Sequence, residues 1–161
     1  MIDKDILRQT VERAIEGTDL ILVDLTVTPS NEITVEIDCA KGVDIEQCAE
    51  ITRTIEAVFD RDEEDYELEV GSSGLTSPLK IRAQYIKNLG NEMEVLTSDG
   101  RKLHGILAEV APGADTDREV EFTLEVPTKI KEPGAKKAVV QNVATRLSSA
   151  DCKYVRYDLK F

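Results

Sequence analysis

The sequence predicts an α+β protein, in which an N-terminal α/β domain is followed by a small five-stranded β-barrel. Apolar residues recur at both helical and alternating spacing in the first 70 residues, whereas short alternating segments separated by turns dominate after residue 90. A Gly-Ser-Ser-Gly stretch at residues 71–74 separates the two patterns. We therefore expect an acidic α/β domain at residues 1–77, a linker at 78–89 and the barrel at 90–161.

A helix followed by a β-hairpin is predicted for the first 38 residues. Leu7, Val11 and Ile15 recur at helical spacing, Asp3 or Asp5 is placed to cap the helix, and a glycine at residue 17 is placed to end it. The pattern then changes to period two, which indicates two half-buried strands around a turn at residues 29–31. The residues expected to face the core are Ile21, Val23, Leu25 and Val27 in the first strand and Ile33, Val35 and Ile37 in the second.

A second helix and a third strand complete the predicted α-β-β-α-β order of the first domain. Asp44 and Gln47 stand three residues apart, as in a capping box. The apolar stripe of the helix that follows consists of Ile45, Cys48, Ile51, Ile55 and Val58. After an acidic loop at residues 60–65, a strand with alternating glutamates begins at Tyr66. The glycines at 71 and 74 are expected to end this strand, and Gly74 is expected to adopt a positive φ angle.

The second half is predicted to consist mainly of strands. A short helical or irregular segment at residues 81–86 lies in the linker. The predicted strands cover residues 93–95, 103–110, 120–126, 139–147 and 155–161, with a turn at Asp99-Gly100, a loop at 127–137 and one helical turn at 148–151. Five short strands with a helical turn before the last are typical of a barrel of the SH3 or Sm type.

The net charge of −12 is distributed very unevenly along the chain. Residues 1–70 contain twenty Asp and Glu against six Lys and Arg, a net −14, whereas residues 71–161 contain twelve against fourteen, a net +2. A domain this acidic repels phosphate backbones and anionic membranes, and it attracts the cationic surfaces of basic proteins. Simple solubility is the alternative explanation.

Several absences favour a cytoplasmic protein that does not contact membranes. The sequence contains neither an apolar stretch long enough to cross a bilayer nor the pattern of a signal peptide. Cys39, Cys48 and Cys152 are odd in number and include no Cys-x-x-Cys pair, which argues against a disulfide framework or a structural zinc site.

Catalytic and metal sites are not indicated either. His104 is the single histidine and lies in a predicted strand, so a structural or exposed role is expected for it. The acidic loop at 60–65 lacks the central glycine and the terminal glutamate spacing of a calcium loop. A small-molecule enzyme, the third class of function considered, therefore lacks a convincing constellation of residues.

The Sm-like pattern of the second half and the lysines of one loop keep a direct RNA-binding module of the Sm or KH type as an alternative. The G-x-x-G pattern at 71–74 is similar to the loop that clamps RNA in KH domains, although here it follows a strand in an acidic domain. The loop at residues 127–138 carries Lys129, Lys131, Lys136 and Lys137, which suit either phosphate contacts or a solvated loop.

A family resemblance becomes specific at the junction. The run YELEVGSSGLTSPL at residues 66–79, together with Gln84-Tyr85, Asn88-Leu89-Gly90, Asp99-Gly100-Arg101-Lys102 and Gly105, resembles the ribosome maturation factor RimP family over nearly the whole chain. That family has a junction motif usually written Ser-Ser-Pro-Gly-Leu followed by Pro-Leu, and the matching residues here are Ser72, Gly74, Leu75, Pro78 and Leu79. Gly71 and Ser73 depart from the motif, and Thr76-Ser77 replaces an Asp-Arg pair, so no role of that arginine is carried over.

The resemblance implies a non-enzymatic assembly factor for the small (30S) ribosomal subunit in the bacterial cytoplasm. It implies an α/β N-terminal domain, an SH3-like C-terminal barrel and binding near the decoding region, through a basic ribosomal protein and/or rRNA. We expect a monomer without a cofactor. The residues predicted to bind the partner or to set the interdomain geometry are Ser72, Ser73, Gly74, Leu75 and Pro78 at the junction and Asp62, Glu63, Glu64 and Asp65 in the acidic loop.

Overall fold

The chain divides into two compact units. The computed structural model describes residues 1–39, 41–134 and 136–159, and unit 1 covers Met1–Gly74 while unit 2 begins at Leu75. Both units contain helices and strands, so the predicted α+β class is confirmed. The predicted domains at 1–77 and 90–161, joined by a linker at 78–89, are expected to fold independently, and this division stays a prediction.

Unit 1 has the predicted α-β-β-α-β order. Its elements are α1 (Lys4–Ile15), β1 (Ile21–Val27), β2 (Glu32–Asp38), α2 (Ile45–Val58) and β3 (Glu67–Ser72). The sheet order is β1-β2-β3, in which β1 and β2 are antiparallel and β2 and β3 are parallel. Parallel neighbours need a long crossover, which α2 provides.

Both helices of unit 1 begin at the capping signals seen in the sequence. Asp3 is the N-cap of α1, because its side chain accepts hydrogen bonds from the backbone N–H groups of Asp5 and Ile6. Asp44 and Gln47 form the reciprocal capping box of α2. The core lies between the helices and one face of the sheet, and it includes Leu7, Val11, Ile15, Leu25, Ile33, Val35, Ile37, Ile51, Ile55 and Tyr66.

The inward face of β1 differs from the prediction. The pairing of β1 with β2 shifts between Leu22 and Asp24, so an irregularity interrupts the alternation. As a result Leu22 and Leu25 belong to the core cluster, whereas Val23 is buried outside it. Local alternation alone does not reveal such a shift, because it depends on how the partner strand pairs.

The apolar stripe of α2 is shorter than predicted, and β3 is longer. Ile45 and Val58, at the two ends of α2, are 89% and 51% exposed. Gly71 does not end β3 but pairs with Glu36, and the strand continues to Ser72. The predicted positive φ at Gly74 is wrong, since this residue is not among the glycines of the described chain with positive φ.

Unit 2 contains one α-helix and a five-stranded antiparallel sheet. Its elements are α3 (Arg82–Lys87), β4 (Glu92–Thr97), β5 (Lys102–Val110), β6 (Glu121–Ile130), β7 (Val139–Ser148), a 3-10 turn (Ser149–Asp151) and β8 (Cys152–Tyr157). The strand order is β7-β6-β5-β4-β8. The five strands and the helical turn before the last are confirmed. The ladders among the described residues do not join β7 to β8, so closure into an SH3-like barrel is not shown.

Helix α3 belongs to the core of unit 2, although the sequence placed it in a linker. The Tyr85 ring lies 5.4 Å from that of Phe122, and Ile81 is also buried. Gln84 Oε1 accepts hydrogen bonds from the backbone N–H groups of Lys80 and Ile81, which orders the start of the helix. The other buried members of this core are Met93, Val95, Leu107, Val120, Leu124 and Val155.

Two strand boundaries of unit 2 also differ from the prediction. β6 continues through Pro127 to Ile130, which shortens the predicted loop at 127–137. Proline is tolerated here because β5 pairs with β6 only as far as Glu125 and therefore leaves one side of Pro127 without a strand. β8 begins at Cys152 and ends at Tyr157, and the predicted end of that strand, at Lys160 and Phe161, lies outside the described residues.

Candidate partner-binding surfaces

The acidic loop at residues 60–65 is a compact turn. The Asp60 carbonyl accepts hydrogen bonds from the backbone N–H groups of Glu63 and Glu64, at 3.2 and 3.1 Å. The Asp60 side chain accepts one from the N–H of Asp62 at 2.9 Å. Asp62 and Glu63 are exposed, and no ion pair to either side chain is found among the described residues. These two carboxylates are therefore available to a partner.

Glu64 and Asp65, by contrast, help to hold unit 1 together. The Glu64 carboxylate forms an ion pair with the amino group of Met1 and accepts a hydrogen bond from Asn31 at 3.1 Å. Hydrogen bonds from that amino group and from Asn31 lower the pKa of Glu64. Asp65 accepts a hydrogen bond from the backbone N–H of Tyr66 at 2.9 Å. The four predicted loop residues thus divide into an exposed pair without such contacts and a structural pair with them, of which the Asp65 side chain is itself 85% exposed.

Unit 1 has a second acidic surface that sequence reasoning did not single out. Glu32 lies directly opposite Glu67 across the β2–β3 ladder, and Asp24 lies opposite Glu36 across β1–β2. The side chains of this acidic sheet face project away from the helices and belong to Asp24, Glu32, Glu36, Glu67 and Glu69. Like charges directly across a sheet are destabilising. The alternation predicts that each glutamate points outward, but only the pairing register places them side by side.

The predicted junction residues follow β3 in the chain. Ser72 pairs with Ile37 at the end of the strand, and the N–H of Ser73 donates to the carbonyl of Ile37 at 3.0 Å. Gly74, Leu75 and Pro78 are exposed, and Leu75 is 66% exposed despite its apolar side chain. The first two residues are therefore fixed to the sheet of unit 1. Whether the five residues bind a partner or set the interdomain geometry stays a prediction.

Comparison with known proteins connects these features to one family. The model of the RimP N-terminal domain family matches residues 10–76, which reach from α1 into the junction. The ribosome maturation factor RimP of Porphyromonas gingivalis is 40% identical over 153 residues, covering 95% of this chain and 96% of that protein. The chain belongs to the RimP family. The RimP of Flavobacterium psychrophilum is 35% identical over 143 residues, covering 88% of this chain and 89% of that protein.

Membership of the RimP family covers both units. The domain match lies within unit 1 and the first residues after it, while the similarity to the Porphyromonas gingivalis RimP extends over nearly all of the chain. The resemblance inferred from the junction and turn residues is thereby confirmed.

The single histidine of this RimP-family chain lies in a surface cluster of ion pairs. His104 Nδ1 is 2.9 Å from Asp158 Oδ2, and the His104 side chain is 51% exposed. At the centre of the cluster, Glu94 accepts hydrogen bonds from Arg156 Nε at 2.7 Å and from the Tyr154 hydroxyl at 3.0 Å. Burial raises the pKa of Glu94, but these hydrogen bonds and the charges of Arg156 and Lys102 lower it more, so its pKa lies below its usual value. The cluster therefore links neighbouring strands of the sheet, and it contains no nucleophile beside His104 among the described residues.

The described part of the chain holds no candidate catalytic or metal site. No group of three or more His, Cys, Asp or Glu side chains in these ranges is arranged to hold a metal ion. The three cysteines are free thiols, and burial is the main cause that raises the pKa values of Cys48 and Cys152. None of the described helices is both long and apolar enough to span a bilayer.

Proposed function

We propose that this chain is a maturation factor of the small ribosomal subunit and that unit 1 binds a basic ribosomal protein near the decoding region. Family membership supports the role, since ribosome maturation factors named RimP are up to 40% identical to this chain over 95% of its length. The observation that carries the choice of surface is the concentration of acidic residues in unit 1, which includes the exposed Asp62 and Glu63 and the acidic sheet face.

The charge of unit 1 acts mainly on how fast the complex forms. Residues 1–70 carry a net −14, which produces a long-range attraction for a cationic protein. Exposed charges at the rim of an interface raise the association rate and are screened as salt increases. A basic ribosomal protein within an RNA-rich particle is therefore a partner that unit 1 distinguishes from the surrounding phosphates.

The finer features of the proposal concern unit 2 and the junction. Unit 2 is an SH3-like barrel that positions the factor on the subunit, and the protein acts as a cytoplasmic monomer without catalysis. Two hydrogen bonds of the 3-10 turn, each 2.8 Å long, support closure of the sheet into a barrel. The N–H of Ser149 donates to the Val120 carbonyl, and the N–H of Ser98 donates to the Asp151 carbonyl, so the turn contacts residues next to β6 and β4. Ser72, Ser73, Gly74, Leu75 and Pro78 set the interdomain geometry or contact the partner.

Charge reversal at the exposed pair tests the surface. Asp62→Lys with Glu63→Lys should lower the association rate with isolated small subunits and with the separate basic protein, because it replaces attraction by repulsion. The loss should shrink as salt rises through physiological strength. Stopped-flow binding at several salt concentrations measures both effects. Glu64 and Asp65 are left unchanged because their contacts stabilise unit 1.

A matched control separates a local contact from the total charge. Glu109→Lys with Glu119→Lys makes the same charge change at exposed positions of unit 2. The control should slow association much less than the loop variant. Equal slowing by both variants would assign the effect to net charge and would remove the loop from the interface. Failure of the parent protein to sediment with free small subunits would overturn the proposed function as a whole.

A further inference from the structure

Strands β6 and β7 continue well beyond the rest of their sheet. β5 pairs with β6 only as far as Glu125, whereas the β6–β7 ladder continues from Val126↔Val143 to Ile130↔Val139. We call this ladder, together with the described residues of the loop that joins its two strands (126–134 and 136–143 in all), the β6–β7 ribbon. At about 3.3 Å per residue, its five pairs reach roughly 16 Å past the last β5–β6 pair, Ile106↔Glu125, beyond which β5 pairs only with β4. The ribbon is therefore a two-stranded projection from unit 2.

The ribbon is positively charged in a chain that is otherwise strongly negative. Residues 126–143 contain four of the 20 basic residues of the chain but one of its 32 acidic ones, which is Glu132. Their net charge is +3, while the remainder of the chain carries −15. An anionic polymer that is repelled by unit 1 is therefore attracted to this projection.

The four lysines of the ribbon form no ion pair among the described residues, unlike three arginines of unit 2. Arg82, Arg146 and Arg156 form ion pairs with Asp115, Glu121 and Glu94. The four ribbon lysines are all exposed, and none of them lies in an ion pair among residues 1–39, 41–134 and 136–159; they are Lys129, Lys131, Lys136 and Lys137. Ammonium groups on a projecting hairpin are placed to reach phosphates without first breaking a salt bridge.

Three apolar side chains on the β7 strand of the ribbon are exposed, whereas Val126 on β6 packs against the core of unit 2. Val139 and Val140 are each 59% exposed, and Val143 is 38% exposed. β7 is the edge of the sheet, so it has no neighbour on its outer side among the described strands. An isolated two-stranded ribbon is marginally stable in water. A partner that covers these side chains would therefore stabilise the ribbon.

We infer that the β6–β7 ribbon is the RNA-contacting element of this chain and that its lysines bind the phosphates of folded ribosomal RNA. This inference rests on the proposed function and deepens it, because it assigns the protein partner to unit 1 and the RNA partner to unit 2. The wide, shallow minor groove of helical RNA presents phosphates and sugars to such a projection. The positive charge of the ribbon favours RNA over a protein strand pairing with the β7 edge.

The test uses the full-length protein and a fluorescein-labelled RNA stem–loop two helical turns long. The ribbon variant combines Lys129→Ala, Lys131→Ala, Lys136→Ala and Lys137→Ala. Because each phosphate contact contributes about 0.7–0.9 to the slope of log affinity against log salt, we expect the slope to fall by about 3 and the affinity at low salt to fall more than tenfold. Fluorescence anisotropy at several salt concentrations gives both quantities, and an unchanged melting temperature shows that the fold is intact.

The control variant removes the same charge elsewhere. It combines Lys4→Ala, Lys41→Ala, Lys87→Ala and Lys153→Ala, at exposed positions of both units. Retention of RNA binding by the control and its loss by the ribbon variant support the inference. Equal loss in both variants, no RNA binding by the parent, or unchanged binding by the ribbon variant overturns it.

Sedimentation with free small subunits separates this inference from the proposed function. If the parent and the ribbon variant both sediment with subunits, and their binding to subunits weakens equally with salt, the ribbon inference fails while the proposed function stands. If the parent does not sediment with them, the proposed function fails. A ribbon variant that loses subunit binding but keeps its affinity for the stem–loop would assign the ribbon to a protein partner and overturn the RNA assignment.

Discussion

Gly105 and Gly71 both lie in β-strands, but only one of the two positions excludes a side chain. A Cβ atom at Gly105 would contact the carbonyl oxygen of Glu125 on β6 and would lie 2.9 Å from its carbonyl carbon. At Gly71 the same atom would meet nothing within 4 Å, and the backbone there does not have positive φ. Only the first position excludes a side chain, because two strands approach closely there.

Gly105→Ala should lower the free energy of unfolding of unit 2 by about 1–3 kcal/mol, since the added methyl group forces β5 and β6 apart. Gly71→Ala is the matched control. It should be neutral or stabilise by roughly 0.4–1 kcal/mol, because it restricts the unfolded chain without a clash. Urea denaturation of the two variants measures the difference. An equal effect of both substitutions would show that the close approach of β5 and β6 does not constrain Gly105.

Strand β4 is joined to both of its neighbours by the carboxylate of Glu94. Lys102 on β5 lies 3.5 Å from Glu94 Oε1, and Arg156 and Tyr154 on β8 donate hydrogen bonds to Oε2. The Arg156 guanidinium also lies over the Tyr154 ring at 4.3 Å. Because Glu94 is mostly covered, its side chain being 12% exposed, this cluster is screened less than an ordinary surface ion pair.

Glu94→Gln should destabilise the protein at neutral pH and have a smaller effect in acid. The folded-state pKa of Glu94 lies below its ordinary value of 4.5, so its ionised form stabilises the fold above that pH. The parent loses this contribution as the pH falls through the lowered folded-state pKa. Thermal unfolding from neutral pH to below 4 measures the difference between parent and variant. Glu109→Gln removes a carboxylate at an exposed position of β5 outside this cluster, and it should destabilise the protein at neutral pH less than Glu94→Gln does.

At the level of the whole chain, the two units have separate cores. The core of unit 1 lies between its two helices and three strands, and that of unit 2 lies between α3 and five strands. Because α3 is part of the second core, the chain that joins the two cores outside helices and strands is at residues 73–80, which begins before the region 78–89 that the sequence suggested. Independent folding of both units is the expectation that follows.

Limited proteolysis tests this expectation. Thermolysin cleaves before bulky apolar residues, so we expect a first cut at Leu75, which is 66% exposed. Mass spectrometry should identify two fragments, and each should unfold cooperatively when purified. Cleavage within α3, or a single protected core without a cut at residues 73–80, would count against two independent domains.

Much of the secondary structure of this protein could be predicted from its sequence, because it depends on interactions between residues that are close in the chain. The caps at Asp3 and Asp44, the alternation in β2 and the turn at Asp99-Gly100 involve residues that are neighbours in the chain, and each predicted element was found. The junction residues identified the RimP family for the same reason, since a motif is a local pattern. The acidity of the first half and the lysines of the second are likewise properties of composition.

Contacts between distant residues account for the rest. Leu22 belongs to the core because of the irregularity in the β1–β2 pairing. Helix α3 belongs to unit 2 because Tyr85 packs on Phe122. Glu32 lies opposite Glu67 because of the β2–β3 register. The division of the acidic loop into an exposed and a structural pair likewise depends on Asn31, more than thirty residues away. Strand pairing and side-chain packing join segments far apart in the chain, and a local pattern carries no information about which partner or register is chosen.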